Sequence, residues 1–356
     1  MAKFIREIPE TLTYDDVLLV PQFSDIASRK EVDLSVEGFS DFNLSFPVIS
    51  SPMDTITEYE MCLQMAIAGG FGVIHRYNSV EDQVNIAHKC HAAQIPFGAA
   101  VGVKDDYLNR ATRLVEEAGT KILCVDVAHG HNKIVGQAIS KLRTIFDDKV
   151  HIMAGNVATL EGVDFLADSG ANSVKIGIGN GSICSTRLET GHGVPSLTAI
   201  MECATTTRDV RLIADGGIKK SGDIVKALAA GADAVMLGSM LSATDATPGD
   251  KIPVFDNGPV ALPTYYKKYR GMASSEAQMD WRGHVSSNEG VSSLIKFRGE
   301  TAEVLRNISN QLRSGLSYSG CRTIGELHRK AKFIKQSNAG QFESSTHIST
   351  KAKEVK

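Results

Sequence analysis

The sequence predicts a (β/α)8 TIM barrel with an N-terminal arm and a C-terminal lid and tail. Three observations predict it. Eight short apolar runs recur from about residue 46, amphipathic stretches alternate with them, and glycine-rich turns follow the sixth, seventh and eighth runs. Strict strand–helix alternation argues a parallel sheet. Eight units argue a closed barrel over a doubly wound sheet. The open alternative lacks its own mark, since no GxGxxG follows the first run.

The strands read in order as FPVIS (46–50), FGVIH (71–75), FGAAVGV (97–103), ILCVDV (122–127), HIMAG (151–155), SVKIG (173–177), RLIADGG (211–217) and AVMLGS (234–239). Nearly continuous hydrophobicity over so few residues suits a strand buried on both faces. Helices are expected over 58–68, 79–92, 105–118, 131–146, 159–169, 195–206 and 221–231. Several open on acidic or hydroxyl residues and close on glycine, as in EEAGT, ADSGA and LAAGAD.

The chain reads as one domain, residues 1–356, with an arm (1–45), a barrel (46–240) and a lid and tail (241–356). Within the last part, 299–315 reads as a helix. Residues 250–298 are rich in Gly, Pro and Ser with few apolar runs, as expected of a functional lid. The closing SSTHISTKAKEVK reads as solvated or docked on a neighbour.

Bulk properties exclude several classes. A net charge of −3 leaves no basic field for nucleic acid or an acidic membrane. No apolar run approaches the roughly 20 residues that span a bilayer, and the start lacks the apolar core of a secretion signal. The six cysteines form no CxxC pair, so they read as reduced thiols of a cytoplasmic protein.

The segment KIGIGNGSICSTRLETGHGVP (175–195) is the most informative. Glycines 177, 179, 181, 191 and 193 let backbone amides approach a ligand, and Ser182, Cys184, Ser185 and Thr186 sit among them. A thiol on a polar loop at the C-terminal face of a barrel is placed to be a nucleophile. Neighbouring amides and Arg187 are expected to favour its thiolate. The alternative is an incidental buried cysteine. DGGI (215–218) and LGSM (237–240) end the last two strands, where barrels bind phosphate on backbone amides. Bare tight turns are the alternative. Asp215 there accepts from ribose hydroxyls or caps the next helix. SSPMDT (50–55) and VDVAHGH (125–131) bring Asp54, Asp126, His129 and His131 to the same rim, without a third metal ligand that stands out. Asn156 follows the fifth strand as a polar contact. In SSNEGVSS (286–293), Glu289 reads as a mobile lid acid or a solvated carboxylate.

Together these residues resemble the inosine monophosphate dehydrogenase / guanosine monophosphate reductase family. LTYDDVLLVPQ (12–22), SSPMDT, GIGNGSICSTR, IADGGI, the GSM turn and YRGM match in family order over nearly the whole chain. The resemblance implies a homotetrameric barrel working by covalent catalysis at purine C2. It implies Cys184 as nucleophile, with Thr186 and Glu289 as catalytic threonine and lid acid. It puts Ser51, Met53, Ser182, Asp215, Gly216, Gly217, Gly238, Ser239, Tyr269, Gly271 and Met272 on the nucleotide. Asp126, Ala128, Asn156 and Arg187 fall by the nicotinamide. Carbonyls of Gly179, Gly181 and Cys184 would hold a monovalent cation such as potassium, with Glu343 and Ser344 completing that site from a neighbouring subunit.

Three features favour the NADPH-dependent reductase. The regulatory insert of the dehydrogenase is absent between His75 and Phe97. The loop from Gly271 to Glu289 is short and lacks the Arg-Tyr pair that activates water. STRLETGHGVP carries the reductase Thr-Gly. VDVAHGH, the stretch IADGGI to GSM, and the tail are dehydrogenase-like, and Arg282 in the lid is a substitute for the missing arginine. An NAD-dependent dehydrogenase without the insert, and a silent nucleotide-binding homologue, are the alternatives. Ser185, Ser196 and Ala273 depart from the family pattern, the first conservatively, the others where they bear on substrate choice.

Overall fold

A computed structural model describes residues 8–255, 262–286 and 288–344. The first seven residues and 345–356, most of the terminal SSTHISTKAKEVK, lie outside the described residues. Eight parallel strands close a barrel in chain order: β1 (Val48–Ser50), β2 (Phe71–Ile74), β3 (Phe97–Val101), β4 (Ile122–Asp126), β5 (His151–Val157), β6 (Ser173–Ile176), β7 (Arg211–Asp215) and β8 (Ala234–Leu237). The first four are buried along almost their whole length, which explains their unbroken apolar sequence.

Around them lie α1 (Tyr59–Ala68), α2 (Val80–Ala92), α3 (Tyr107–Glu116), α4 (Lys133–Phe146), α5 (Leu160–Asp168), α6 (Ser196–Cys203) and α7 (Ser221–Ala229). Hydroxyl and amide side chains start several of them. Ser79 accepts from the Asp82 N–H, Asn132 from Ile134 and Thr159 from Gly162. The ring is completed by α8 (Thr301–Tyr318), which packs between α7 and α1. The eighth strand and its helix are therefore separated by the lid.

The lid is more regular than its composition predicts. Strands β9 (Ile252–Val254), β10 (Thr264–Arg270) and β11 (Ser292–Lys296) form an antiparallel sheet, and a helix spans Ser275–Arg282. β9 and β11 are largely exposed and β10 buries only Lys267 and Tyr269, so these strands have no need of the unbroken apolar runs that mark the barrel. The arm and tail also meet: Val17–Leu19 pairs antiparallel with Phe333–Lys335.

The N-terminal mouth of the barrel is plugged by the hairpin of Val36–Phe39 and Phe42–Leu44. Phe39 packs on Phe71 and His151 at the starts of β2 and β5. His151 is buried; the Ser40 N–H donates to its Nδ1 at 3.2 Å, and Nε2 lies 2.8 Å from Ser173 Oγ. Burial, helped by Arg143, lowers its pKa from 6.5 to about 4. The unfolded chain therefore takes up a proton that the native one refuses. Stability is intact above the unfolded pKa and is lost as pH falls toward 4, by about 3 kcal/mol at full depth. Urea melts at pH 7 and pH 4.5 should give a drop that His151→Gln reduces. An equal drop in that variant would remove His151 as its source.

Candidate active site

At the end of β6 the chain must turn at once. Gly177 takes φ 147°, and a Cβ there would lie 2.0 Å from the Asp215 carbonyl. Only glycine fits that approach. The loop then brings Cys184 to the C-terminal face, where its N–H donates to the Gly181 carbonyl at 3.2 Å. A one-turn helix, Thr186–Thr190, follows. Cys184 is half-buried, whereas the other five cysteines are buried. Burial pushes the Cys124 and Cys203 thiols up to about 12. They stay protonated and inert.

Three side chains form a relay. Thr186 Oγ1 donates to Glu289 Oε2 at 2.8 Å, and Cys184 Sγ lies 3.1 Å from Thr186 Oγ1. With the hydroxyl proton committed to the carboxylate, the threonine oxygen is left to accept from the thiol. A proton can pass from sulfur to Glu289 in two short steps. Backbone hydrogen bonds hold this geometry. The Ser185 N–H donates to the Glu289 carbonyl at 2.9 Å, Val291 to Ile183 at 3.0 Å, and Cys184 bridges Gly290. The lid is thus stitched directly to the thiol loop.

Beside the relay is a cradle of small residues. A Cβ on Gly238 would lie 3.2 Å from both Met53 Sδ and the Tyr269 hydroxyl, and 3.4 Å from Ser51 Oγ. These groups therefore converge on one turn. Tyr269 is buried, its hydroxyl bonded to Ser182, and burial raises its pKa. Gly216 and Gly217 have φ of 92° and 75°. Ser239 offers its carbonyl to Arg298 at 2.8 Å. Gly271 donates its N–H to the Val291 carbonyl at 3.0 Å, and Met272 Sδ accepts from the Asp54 N–H at 3.4 Å. Asp54 is further held by Arg270 Nε at 2.8 Å. The first barrel loop and the lid are joined there.

Asp126 and Asp215 end β4 and β7. Asn156 Nδ2 donates to Asp215 Oδ2 at 3.0 Å and to the Gly177 carbonyl at 2.8 Å. Ala128 is exposed on the loop after β4. Arg187 turns toward its own loop, donating to the Val194 carbonyl at 2.6 Å and packing beneath Gly179 and Gly193. His131 lies against Phe165 of α5. Among the described residues no group of three or more His, Cys, Asp or Glu is arranged to hold a metal. Glu343 and Ser344 fall at the end of the helix Asn338–Glu343, which packs on the turn Tyr14–Asp16.

Sequence reading missed three contributors, Lys175, Tyr77 and Arg76. Lys175 lies in β6 beneath Asp126 and Asp215. Its signal was a lysine inside an otherwise apolar run. Tyr77, after β2, stacks on Trp281 of the lid helix with centroids 4.3 Å apart, and Arg76 lies over both rings. Arg282 donates to Ser286 Oγ at 2.7 Å and to Gln278, both within the lid.

The model of the IMP dehydrogenase / GMP reductase domain matches residues 11–347. The chain belongs to this family. It is similar to an inosine-5'-monophosphate dehydrogenase of Nitrosopumilus maritimus, 32% identical, with 96% of this chain and 99% of that protein covered. It is equally similar to a GMP reductase of Leishmania major, 32% identical, with 96% and 97% covered. A GMP reductase of Trypanosoma brucei, solved with guanosine 5'-monophosphate, superposes with a TM-score of 0.88 at 31% identity, covering 96% of this chain and 98% of that one. The alignment to the Leishmania reductase runs over 486 positions and that to a Cryptosporidium parvum dehydrogenase over 405. Extra sequence thus accompanies either name within the family. Alignment length therefore does not sort the two names.

Proposed function

We propose that the chain is a GMP reductase, converting guanosine monophosphate and NADPH to inosine monophosphate, ammonia and NADP. The observation that carries this reading is the relay Cys184–Thr186–Glu289, closed by a lid whose arginine is turned elsewhere. Arg282 is engaged by Gln278 and Ser286. The hydrolysis that ends the dehydrogenase reaction needs a base for water; ammonia release needs an acid, which Glu289 supplies once it has taken the thiol proton.

Cys184 attacks C2 of the purine, its proton passing through Thr186 to Glu289. Glu289 returns that proton to the 2-amino group, which leaves as ammonia with the C–N bonding pair. A thioimidate on Cys184 remains. NADPH, when bound, would supply the hydride to C2, which lets Cys184 depart as thiolate. Gly216, Gly217, Gly238 and Ser239 hold the phosphate, and Asp215 the ribose. Ser51, Met53, Ser182, Tyr269, Gly271 and Met272 pack and orient the nucleotide.

Asp126, Ala128 and Asn156 serve the dinucleotide side, with Arg187 acting through the loop it holds at the Val194 carbonyl. Fit for a dinucleotide is supported by Arg76 Nε, which is buried beside Asp126 with no hydrogen-bond partner among the described residues. The Gly179, Gly181 and Cys184 carbonyls would supply oxygen ligands to a monovalent cation such as potassium. Glu343 and Ser344, docked on Tyr14–Asp16, would complete that set on a neighbouring subunit of a homotetramer.

The test follows absorbance at 340 nm in potassium buffer. GMP with NADPH should give a fall; a rise with IMP and NAD instead would make the chain a dehydrogenase. That second reading is favoured by relatives named for it at 32% and 34% identity. Gly217→Ala is a further check. Its φ of 75° and a Cβ position 2.5 Å from Ser196 Oγ deform the turn, at about 1–3 kcal/mol of strain. GMP affinity by calorimetry should fall about tenfold; unchanged affinity would remove that turn from the phosphate site.

A further inference from the structure

A buried lysine lies directly beneath both proposed ligand carboxylates. Lys175 is 1% exposed, yet its chain runs up inside the barrel. Its Nζ donates to Asp126 Oδ1 in a close ion pair, and lies 3.4 Å from Asp215 Oδ2. Asp126 ends β4 and Asp215 ends β7, so one ammonium ties strands on either side of β5 and β6. Asn156 adds a second donor to the same Asp215 oxygen at 3.0 Å.

Room for this arrangement is built in. A Cβ on Gly155 would lie 2.6 Å from the Lys175 Cβ. Burial opposes the charge on Lys175, but Asp126 and Asp215 overcome it and raise its pKa above the ordinary lysine range. A lysine placed there for packing alone would carry a large desolvation cost. Each carboxylate gives one oxygen to the network. Among the described residues, Asp126 Oδ2 and Asp215 Oδ1 make no hydrogen bond, while the two aspartates remain 26% and 18% exposed. One oxygen of each is fixed from below and the other is free for a ligand.

We propose that Lys175 is a positioning residue that couples the nucleotide and dinucleotide subsites, by holding Asp215 and Asp126 in fixed orientations from beneath. This rests on the reading of those aspartates given above. Binding of either ligand to its aspartate changes how tightly that carboxylate holds Lys175, and so changes the other pair. The two subsites share one buried cation.

A double-mutant cycle tests this with the full-length protein. Calorimetry measures GMP alone, and NADPH with IMP present. Lys175→Met should weaken GMP about tenfold in the native background and much less in Asp215→Asn. The same pattern should appear for NADPH with Asp126→Asn. Equal losses in both backgrounds would overturn the proposal, because a merely structural lysine acts additively. Should Lys175→Met fail to fold, Asp126→Asn decides alone. It should weaken GMP about threefold, since Lys175 then draws Asp215 downward. Unchanged GMP affinity would overturn the coupling. A wild-type protein that binds no GMP would instead defeat the functional reading, and the inference with it.

Discussion

Cys184→Ala should reduce turnover by a factor on the order of 10⁴ or more while leaving GMP affinity within a few-fold of wild type. The split follows from where the groups lie. The thiol belongs to the relay, whereas Ser51, Met53 and Tyr269 meet at the Gly238 turn. None of them depends on the sulfur for its position, because backbone hydrogen bonds from Ser185 and Val291 hold the loop to the lid. Steady-state rates at 340 nm and calorimetry with GMP measure the two halves. A variant that keeps substantial turnover would remove Cys184 as nucleophile. One that loses GMP binding as well would make the loop's integrity, rather than its chemistry, the cause.

Thr186→Val should lower kcat by about 10²–10³-fold with a smaller change in KM, and Thr186→Ser should restore most of it. Valine keeps the shape but breaks the contact at both ends, 3.1 Å to the sulfur and 2.8 Å to Glu289. Because the proton must pass through both groups, Thr186→Val with Glu289→Gln should be scarcely worse than the poorer single variant. Multiplicative losses would mean that Thr186 and Glu289 act separately. A serine variant as slow as valine would show that packing of the threonine methyl, not its hydroxyl, is what matters.

The barrel was legible because its strands are buried on both faces and leave unbroken apolar runs. The lid was not, because β11 is exposed and β10 buries only Lys267 and Tyr269, so neither SSLIK nor TYYKKYR carries the unbroken apolar run of a barrel strand. The eighth helix was legible as a helix over 299–315, but not as the closing member of the ring, since the lid intervenes. Site residues divided in the same way. Cys184 and the glycine turns announce themselves locally. The contact between Thr186 and Glu289 spans 103 positions and exists only through the closed lid. Lys175 is the instructive case: its position in an apolar strand was visible, but its two partners come from strands on either side. No local pattern encodes that pairing.

The most direct measurement is the mass of the protein quenched in acid during turnover with GMP and NADPH. The peptide carrying Cys184 should gain the mass of GMP less ammonia, and no gain should appear in Cys184→Ala. The same thioimidate would form from IMP by loss of hydride, so the result tests covalent catalysis at Cys184 whichever branch operates. Full turnover with no adduct on Cys184, or an adduct on another residue, would contradict it.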